Sequence, residues 1–361
     1  MPREIFNVIY RAFKSILWIN RRNEKDIVEL YNSITPFVQY ALDDNNNNNK
    51  KYNMLNFGYW TRTTTNPIEA QIKLCELVGI FADLKSTKKV IDIGSGFCAP
   101  ALLWNMRYNN NDDNLFDIFC VDINLEQLHG ALENITSLPL TRITKSALTY
   151  EMINADTAAG CKQQTRAKNA AAAISLVNAT ATILPIANNC VDRIIALESA
   201  QHFKPLSKFF SESKRVLKPE GLIVIALPVV GTKLSYLPPL LQFAKLGILY
   251  FTWASEHYSL EKIKSEIKTE GFKIQDIQHI GHHVYEPCAD YYIQNRRLLK
   301  KRLKTRGHSH ARSILIEFVE RIIYFSALKM KDSSQKEIID YVLIKVTLPA
   351  SQTMNSSGLL R

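Results

Sequence analysis

The sequence predicts an α/β fold built on a doubly wound parallel sheet, and three observations carry that expectation. Residues 90–100, VIDIGSGFCAP, form an apolar run that reaches an acidic residue and passes directly into a glycine turn. Beyond it, strand-like and helix-like runs alternate, the order that builds parallel sheets covered by helices. The chain has 361 residues, 46% of them hydrophobic and 22% charged. That is an ordinary globular composition, long enough for one large α/β domain with additions or for two domains.

Residues 1–54 read as a helical N-terminal extension with an Asn-rich loop. In residues 1–22, Ile5, Ile9, Phe13, Ile16 and Leu17 recur at helical spacing between Arg3, Arg11, Lys14, Arg21 and Arg22. The segment lacks a small-residue cleavage site and is charged throughout, which argues against a signal peptide. Its apolar face is expected to pack on the main domain, with a membrane interface as the alternative. DDNNNNNKK, at 43–51, reads as a flexible loop.

Asn66-Pro67-Ile68-Glu69 combines a cap, a proline in the first turn and a capping-box glutamate, so a helix should start there and run to about Leu84. A buried strand over 89–93 follows. Further strand-like runs lie at 117–121, 174–178, 192–197 and 222–228, with helical connections such as 125–134 and 206–217. Runs at 272–280 and 341–348 would complete seven strands. Outside this core, 137–173 reads as a surface insertion and 349–361 as a flexible tail. Residues 229–269 and 281–334 read as helical cap segments. The first of them holds LSYLPPLLQFAKLGILYFTW, expected to cap an apolar pocket, with a membrane-dipping segment as the alternative.

Six cysteines are scattered without a C-x-x-C pair, against a metal cluster or a disulfide framework and for a reducing, cytoplasmic setting. No uncharged apolar run reaches about eighteen residues, so no membrane span is expected. The formal charge is +11, with much of the excess in RRLLKKRLKTRGHSHAR at 296–312. That cluster reads as a solvated helix face, or as contact with an anionic membrane, an anionic substrate or nucleic acid.

In the glycine turn, Gly94 and Gly96 let the backbone turn sharply and approach a ligand. Asp92, two residues earlier, would repel a pyrophosphate and attract an ammonium. The pattern D-x-G-x-G over Asp92, Gly94, Ser95 and Gly96 resembles the first motif of class I S-adenosylmethionine-dependent methyltransferases. There the acidic residue lies close to the cofactor's methionine amino group. The usual third glycine is Cys98 here. Asp122, followed by Ile123, ends the second strand, where a carboxylate can accept hydrogen bonds from both ribose hydroxyls. Its alternative role is a helix cap. Asn178-Ala179 stands where the family often has Asp-Ala, and the Asn178 amide oxygen could accept the adenine amino group. Turn formation is the competing role.

Glu198-Ser199-Ala200-Gln201-His202-Phe203 is similar to the small-molecule branch, which includes tocopherol, sterol, phosphoethanolamine and macrolide methyltransferases. Asn56-Phe57-Gly58-Tyr59-Trp60 resembles that family's N-x-G-Y-W segment, which closes over the sulfonium. The faces of Tyr59 and Trp60 would attract that cation, and core packing is the other reading. The resemblance covers about residues 55–227. It implies a Rossmann-like sheet of seven strands, the last antiparallel, in a domain over 55–348, with S-adenosyl-L-methionine as cofactor and no metal. The acceptor would be a small molecule, and the hydrophobic cap points to an apolar or lipid-like one.

His202 is the candidate general base, its titration range suiting neutral pH. Glu198 would orient it, contact the cofactor or stabilise a carbocation. His282 and His283 rank second. Charge alone suggests a nucleic-acid methyltransferase, but LESAQHF replaces the N/D-P-P-Y-like segment such enzymes carry after strand four. A non-catalytic membrane-surface module retaining the fold is the alternative from another class.

Overall fold

The computed structural model describes residues 23–42, 54–108, 116–137, 174–252, 256–305 and 310–349. The expected basic helix over 1–22, the Asn-rich loop, nearly all of the 137–173 insertion and the tail after 349 lie outside them. The seven strands are β1 (Lys89–Ile93), β2 (Asp117–Asp122), β3 (Ile174–Asn178), β4 (Val191–Leu197), β5 (Leu217–Val230), β6 (Lys273–His279) and β7 (Ile339–Thr347). They form one sheet in the order β3-β2-β1-β4-β5-β7-β6. The first five pair in parallel, and β7 inserts antiparallel to both β5 and β6.

Strands covered on both faces read as continuous apolar runs, which is why β1, β2 and β4 were legible. Alternation still sorts their side chains. Val90, Cys120, Ile195 and Val224 join one core layer, with Leu74, Val78, Trp104, Leu128 and Tyr285. Ile91, Ile93, Val121, Ile194 and Ile225 join the other, with Phe209, Phe210, Ile263 and Ile267. The first layer is covered by α2 (Pro67–Phe81), α3 (Ala99–Tyr108), α4 (Leu125–Ser137) and α10 (Gly281–Thr305), the second by α5 (Leu206–Val216) and α9 (Leu260–Thr269).

Helix α2 starts at the expected cap: Asn66 Oδ1 accepts the Glu69 amide at 3.0 Å, and Glu69 reaches back to Thr65 N at 2.9 Å. It stops at Phe81 rather than Leu84, because the chain turns at Asp83 (φ 50°) into a short 3-10 turn, Leu84–Ser86. β5 begins five residues earlier than expected, carrying the bend of Lys218-Pro219-Glu220-Gly221 within it, with Glu220 at φ 64°.

Helix α10 pairs with α11 (His310–Gln335). Arg296, from the basic cluster, donates to the buried Glu320 at 2.6 and 3.0 Å, and its guanidinium lies 3.6 Å from the Tyr324 ring centre. Lys300 faces Glu317 at 3.7 Å. Part of the basic cluster is therefore spent on holding the hairpin. Among the described residues, no helix is long and apolar enough to cross a membrane.

Candidate active site

The carboxyl ends of β1, β2, β3 and β4 open on a cavity of about 590 Å³. Of the residues singled out in the sequence, Gly94, Ser95, Gly96, Asp122, Ile123, Ala179, Glu198 and His202 line it. A further wall comes from α1 (Glu24–Leu42), through Ile27, Val28 and Tyr31.

Local geometry explains the glycine turn. Gly94 sits at φ 72° and Gly96 at φ 54°. A Cβ on Gly94 would lie 2.3 Å from Ser199 Cβ, so the first glycine and the serine of the Glu198-Ser199 pair share one space. Gly94 N donates to Val121 O at 2.7 Å, and Gly96 N to Asp122 Oδ2 at 2.7 Å. Asp122 Oδ1 accepts the Asn124 amide at 2.8 Å. The Asp122 carboxylate thereby welds the turn to the tip of β2 while facing the cavity. Cys98 takes the left-handed conformation (φ 57°) that a glycine there would adopt freely, and it is fully buried.

Four residues expected at the site do not line it. Asp92 points to the layer that holds Val90, as alternation along β1 requires. It is buried, its Oδ2 has no partner among the described residues, and burial and then Asp122 push its carboxyl up to about 7. Asn178 turns its side-chain amide to donate to Asp122 O at 2.9 Å, so it clamps β3 to β2, and Ala179 and Thr180 form the wall instead. Tyr59 and Trp60 pack on α10, with ring centres 4.8 Å from His283 and 5.4 Å from Tyr291. Their apolar area is spent in the core. The segment reaches the site through its backbone: Phe57 N donates to Glu198 Oε1 at 2.9 Å. His283 accordingly serves packing, and its Nδ1 lies 3.2 Å from Trp60 O. The apolar segment after β5 does not line the cavity either, since none of the described residues of 229–269 borders it.

Glu198 ends β4 in a left-handed conformation (φ 52°) and also accepts the Tyr341 hydroxyl at 3.1 Å. Burial pushes its carboxyl up to about 8. His202, in the 3-10 turn Ala200–His202, meets a residue that the sequence did not single out: Tyr31 Oη lies 3.0 Å from His202 Nε2, with the rings edge to face at 5.7 Å. Burial first, then the charges of Glu198 and Asp122, push the Tyr31 hydroxyl well above its ordinary range. Tyr31 therefore keeps its proton, and it donates to His202 Nε2 in the tautomer that leaves that nitrogen unprotonated. The signal available for Tyr31 was helical spacing with Ile27, which α1 places on the same inward face. The helix is also held by Asn124 Nδ2 donating to Asn32 Oδ1 at 2.6 Å and by Thr180 Oγ1 donating to Glu24 Oε1.

A family model described as a methyltransferase domain matches residues 138–225. Erythromycin 3''-O-methyltransferase of Saccharopolyspora erythraea is 24% identical over 245 residues, spanning 66% of this chain and 68% of that protein. The chain is an S-adenosylmethionine-dependent methyltransferase. Its fold is shared with the cyclopropane synthase MmaA2 of Mycobacterium tuberculosis (TM-score 0.62, 16% identity, 88% of this chain and 95% of that one). It is shared too with a geranyl diphosphate methyltransferase solved with its substrate and sinefungin (TM-score 0.57, 12% identity, 90% and 98% coverage).

The cofactor of this methyltransferase is S-adenosylmethionine, and the site fits a cationic nucleoside. Three carboxylates, Asp92, Asp122 and Glu198, all have their pKa pushed up by burial, so a positive ligand would relieve them. Gln127 lines the cavity with its Nε2 buried and lacking a partner among the described residues. No group of three or more His, Cys, Asp or Glu side chains among those residues is placed to hold a metal ion.

Proposed function

We propose that this methyltransferase methylates a small, apolar or lipid-like acceptor, with His202 as the base that takes the acceptor's proton. The observation that carries the acceptor class is the wall of the cavity, where Ile27, Val28, Leu55, Phe97, Pro100 and Phe203 surround the polar groups already described. The names of relatives and structural neighbours support it: erythromycin, geranyl diphosphate and mycolic acid are molecules with large apolar bodies.

S-adenosylmethionine supplies, when bound, a methyl group activated on a sulfonium. Gly94 and Gly96 would let the backbone approach the nucleoside, with Asp122 taking the ribose hydroxyls and Ile123 and Ala179 lying against the base. Glu198 from the cavity wall and Asp92 from behind the turn supply negative potential for the cofactor's cationic end. Helix α1 excludes water and holds reactants in line, the main demand of a displacement at an activated methyl. His202 Nε2 accepts the proton lost by the acceptor, either directly or through the Tyr31 hydroxyl, which would pass on its own proton as it receives another. A nucleic-acid acceptor is not favoured, because Arg296 and Lys300 of the basic cluster face Glu320 and Glu317.

The test is to supply methyl-labelled cofactor to the enzyme with separated lipid and polar extracts. Label should enter lipid-soluble products. Label confined to the polar fraction would overturn the acceptor class.

Cofactor affinity should also rise with pH. Burial pushes the Glu198 carboxyl up to about 8 and the Asp92 carboxyl up to about 7, so both are largely protonated at pH 6. A bound cation favours their ionised forms, and protons leave on binding. The dissociation constant should therefore tighten by up to about tenfold per pH unit for each proton released between pH 6 and 8, then level off above the higher value. Calorimetry in two buffers of different ionisation heat counts those protons directly, and a pH-independent affinity would remove Glu198 and Asp92 from this role.

A further inference from the structure

The segment that fails to cap the cavity needs another explanation. Between β5 and α9 the chain forms three short helices, α6 (Thr232–Ser235), α7 (Pro239–Leu246) and α8 (Leu249–Thr252). Residues 232–252 contain Lys233 and Lys245 and no acidic residue. Leu234, Leu246 and Leu249 are buried and anchor the segment, while Tyr236 is 79% exposed, Leu240 76%, Leu241 49% and Phe243 41%. Pro238 and Pro239 start α7 abruptly and set the adjoining leucines in its first turn. The surface continues onto α11: a Cβ on Gly247 would lie 3.7 Å from the Lys329 side chain, and Phe325, one helical turn before Lys329, is 55% exposed.

We infer that this face docks on an anionic lipid bilayer, with Leu240 and Leu241 entering the interface and Lys233 and Lys245 meeting the headgroups. Four large apolar side chains exposed within one short run mark an interaction surface. Aliphatic tips in a run that holds Lys233 and Lys245 and no acidic residue fit a negatively charged hydrocarbon interface, where leucine partitions and lysine reaches the headgroups. The segment is also joined to the cavity mouth. Just after it, Glu256 N donates to Gln201 O at 3.0 Å, Lys204 Nζ to Glu256 Oε1 at 2.9 Å and Tyr258 Oη to Phe203 O at 2.7 Å. Phe203 and Lys204 line the cavity, so docking there would bring its mouth close to the bilayer. The inference rests on the apolar-acceptor reading for its purpose alone, since binding is measured without catalysis.

The experiment is flotation of the full chain with vesicles of phosphatidylcholine, alone or mixed with phosphatidylglycerol, at low and high salt. The wild type should float with the mixed vesicles, less so at high salt. Leu240→Ser with Leu241→Ser should weaken partitioning by about a hundredfold, roughly tenfold per leucine removed from the interface. Lys233→Glu with Lys245→Glu should weaken binding to mixed vesicles by at least about tenfold and leave binding to neutral vesicles unchanged. Both variants should keep the wild-type circular dichroism and cofactor affinity. The inference falls if the wild type floats with neither vesicle, or if the leucine variant floats like the wild type. It falls equally if the chain forms a concentration-dependent dimer that the leucine variant disperses, which would give the face to a second copy. Failure of the acceptor reading would show separately, as label confined to polar products.

Discussion

Replacing His202 by alanine should lower turnover by about 10²–10⁴-fold, the usual worth of a positioned general base, while cofactor affinity stays as in the wild type. The separation of the two effects is the point. His202 lines the cavity and its Nε2 faces the Tyr31 hydroxyl at 3.0 Å, whereas the carboxylates assigned to the cationic end of the cofactor are Glu198 and Asp92. Single-turnover methyl transfer checks the first half of the expectation and calorimetric titration with cofactor the second. Tyr31→Phe should cost less, about tenfold, because it removes one hydrogen bond and leaves the imidazole in place. Unchanged turnover in His202→Ala with acceptor bound would end the base assignment.

Gly94→Ala should be the most damaging single change in the glycine turn. The new methyl would lie 2.3 Å from Ser199 Cβ, and the backbone there sits at φ 72°. Left-handed geometry costs a residue with a side chain about 1–2 kcal/mol. Overpacking against Ser199 adds about 1–3 kcal/mol. A stability loss of about 2–5 kcal/mol should therefore appear in denaturant unfolding, together with weaker cofactor binding. The double variant Gly94→Ala with Ser199→Gly separates the terms: it should recover the steric part, offset by the lost hydrogen bond from Ser199 Oγ to Ile93 O at 2.6 Å, and leave the backbone part. A midpoint unmoved by Gly94→Ala would refute the shared-space argument.

These residues mark what a sequence can and cannot disclose here. Buried parallel strands, a capped helix start and a glycine turn are local patterns, so β1 to β4, the Asn66 cap and Gly94–Gly96 were readable with shifts of a few residues at most. Asp122 and Glu198 were expected at strand ends, where this architecture places its pockets, and both line the cavity. Tyr59 and Trp60 were not: a buried aromatic gives the same signal whether it faces a cation or packs on a helix, and here α10 receives both rings. Asn178 failed similarly, since its amide satisfies the backbone of β2. Asp92 was right in type and displaced in space, because strand alternation turns it to the other side of the sheet. Tyr31 lies 171 residues from His202 in sequence, on a helix whose pattern shows an apolar face without showing what it covers. The apolar run after β5 was read as a cap over a pocket, with a membrane-dipping segment as the alternative, and its described residues do not line the cavity.

The partners of Glu198 have a consequence for how the protein can be divided. Its carboxylate joins Phe57, 141 residues before it, to Tyr341, 143 residues after it, and His202 beside it leans on Tyr31. The stretch matched by the family, 138–225, contains Glu198 and His202 but none of those three supports. A fragment bearing the family signature would thus hold Glu198 and His202 without the residues that position them. Activity should reappear only when the flanking pieces are supplied as separate chains and reassemble around it.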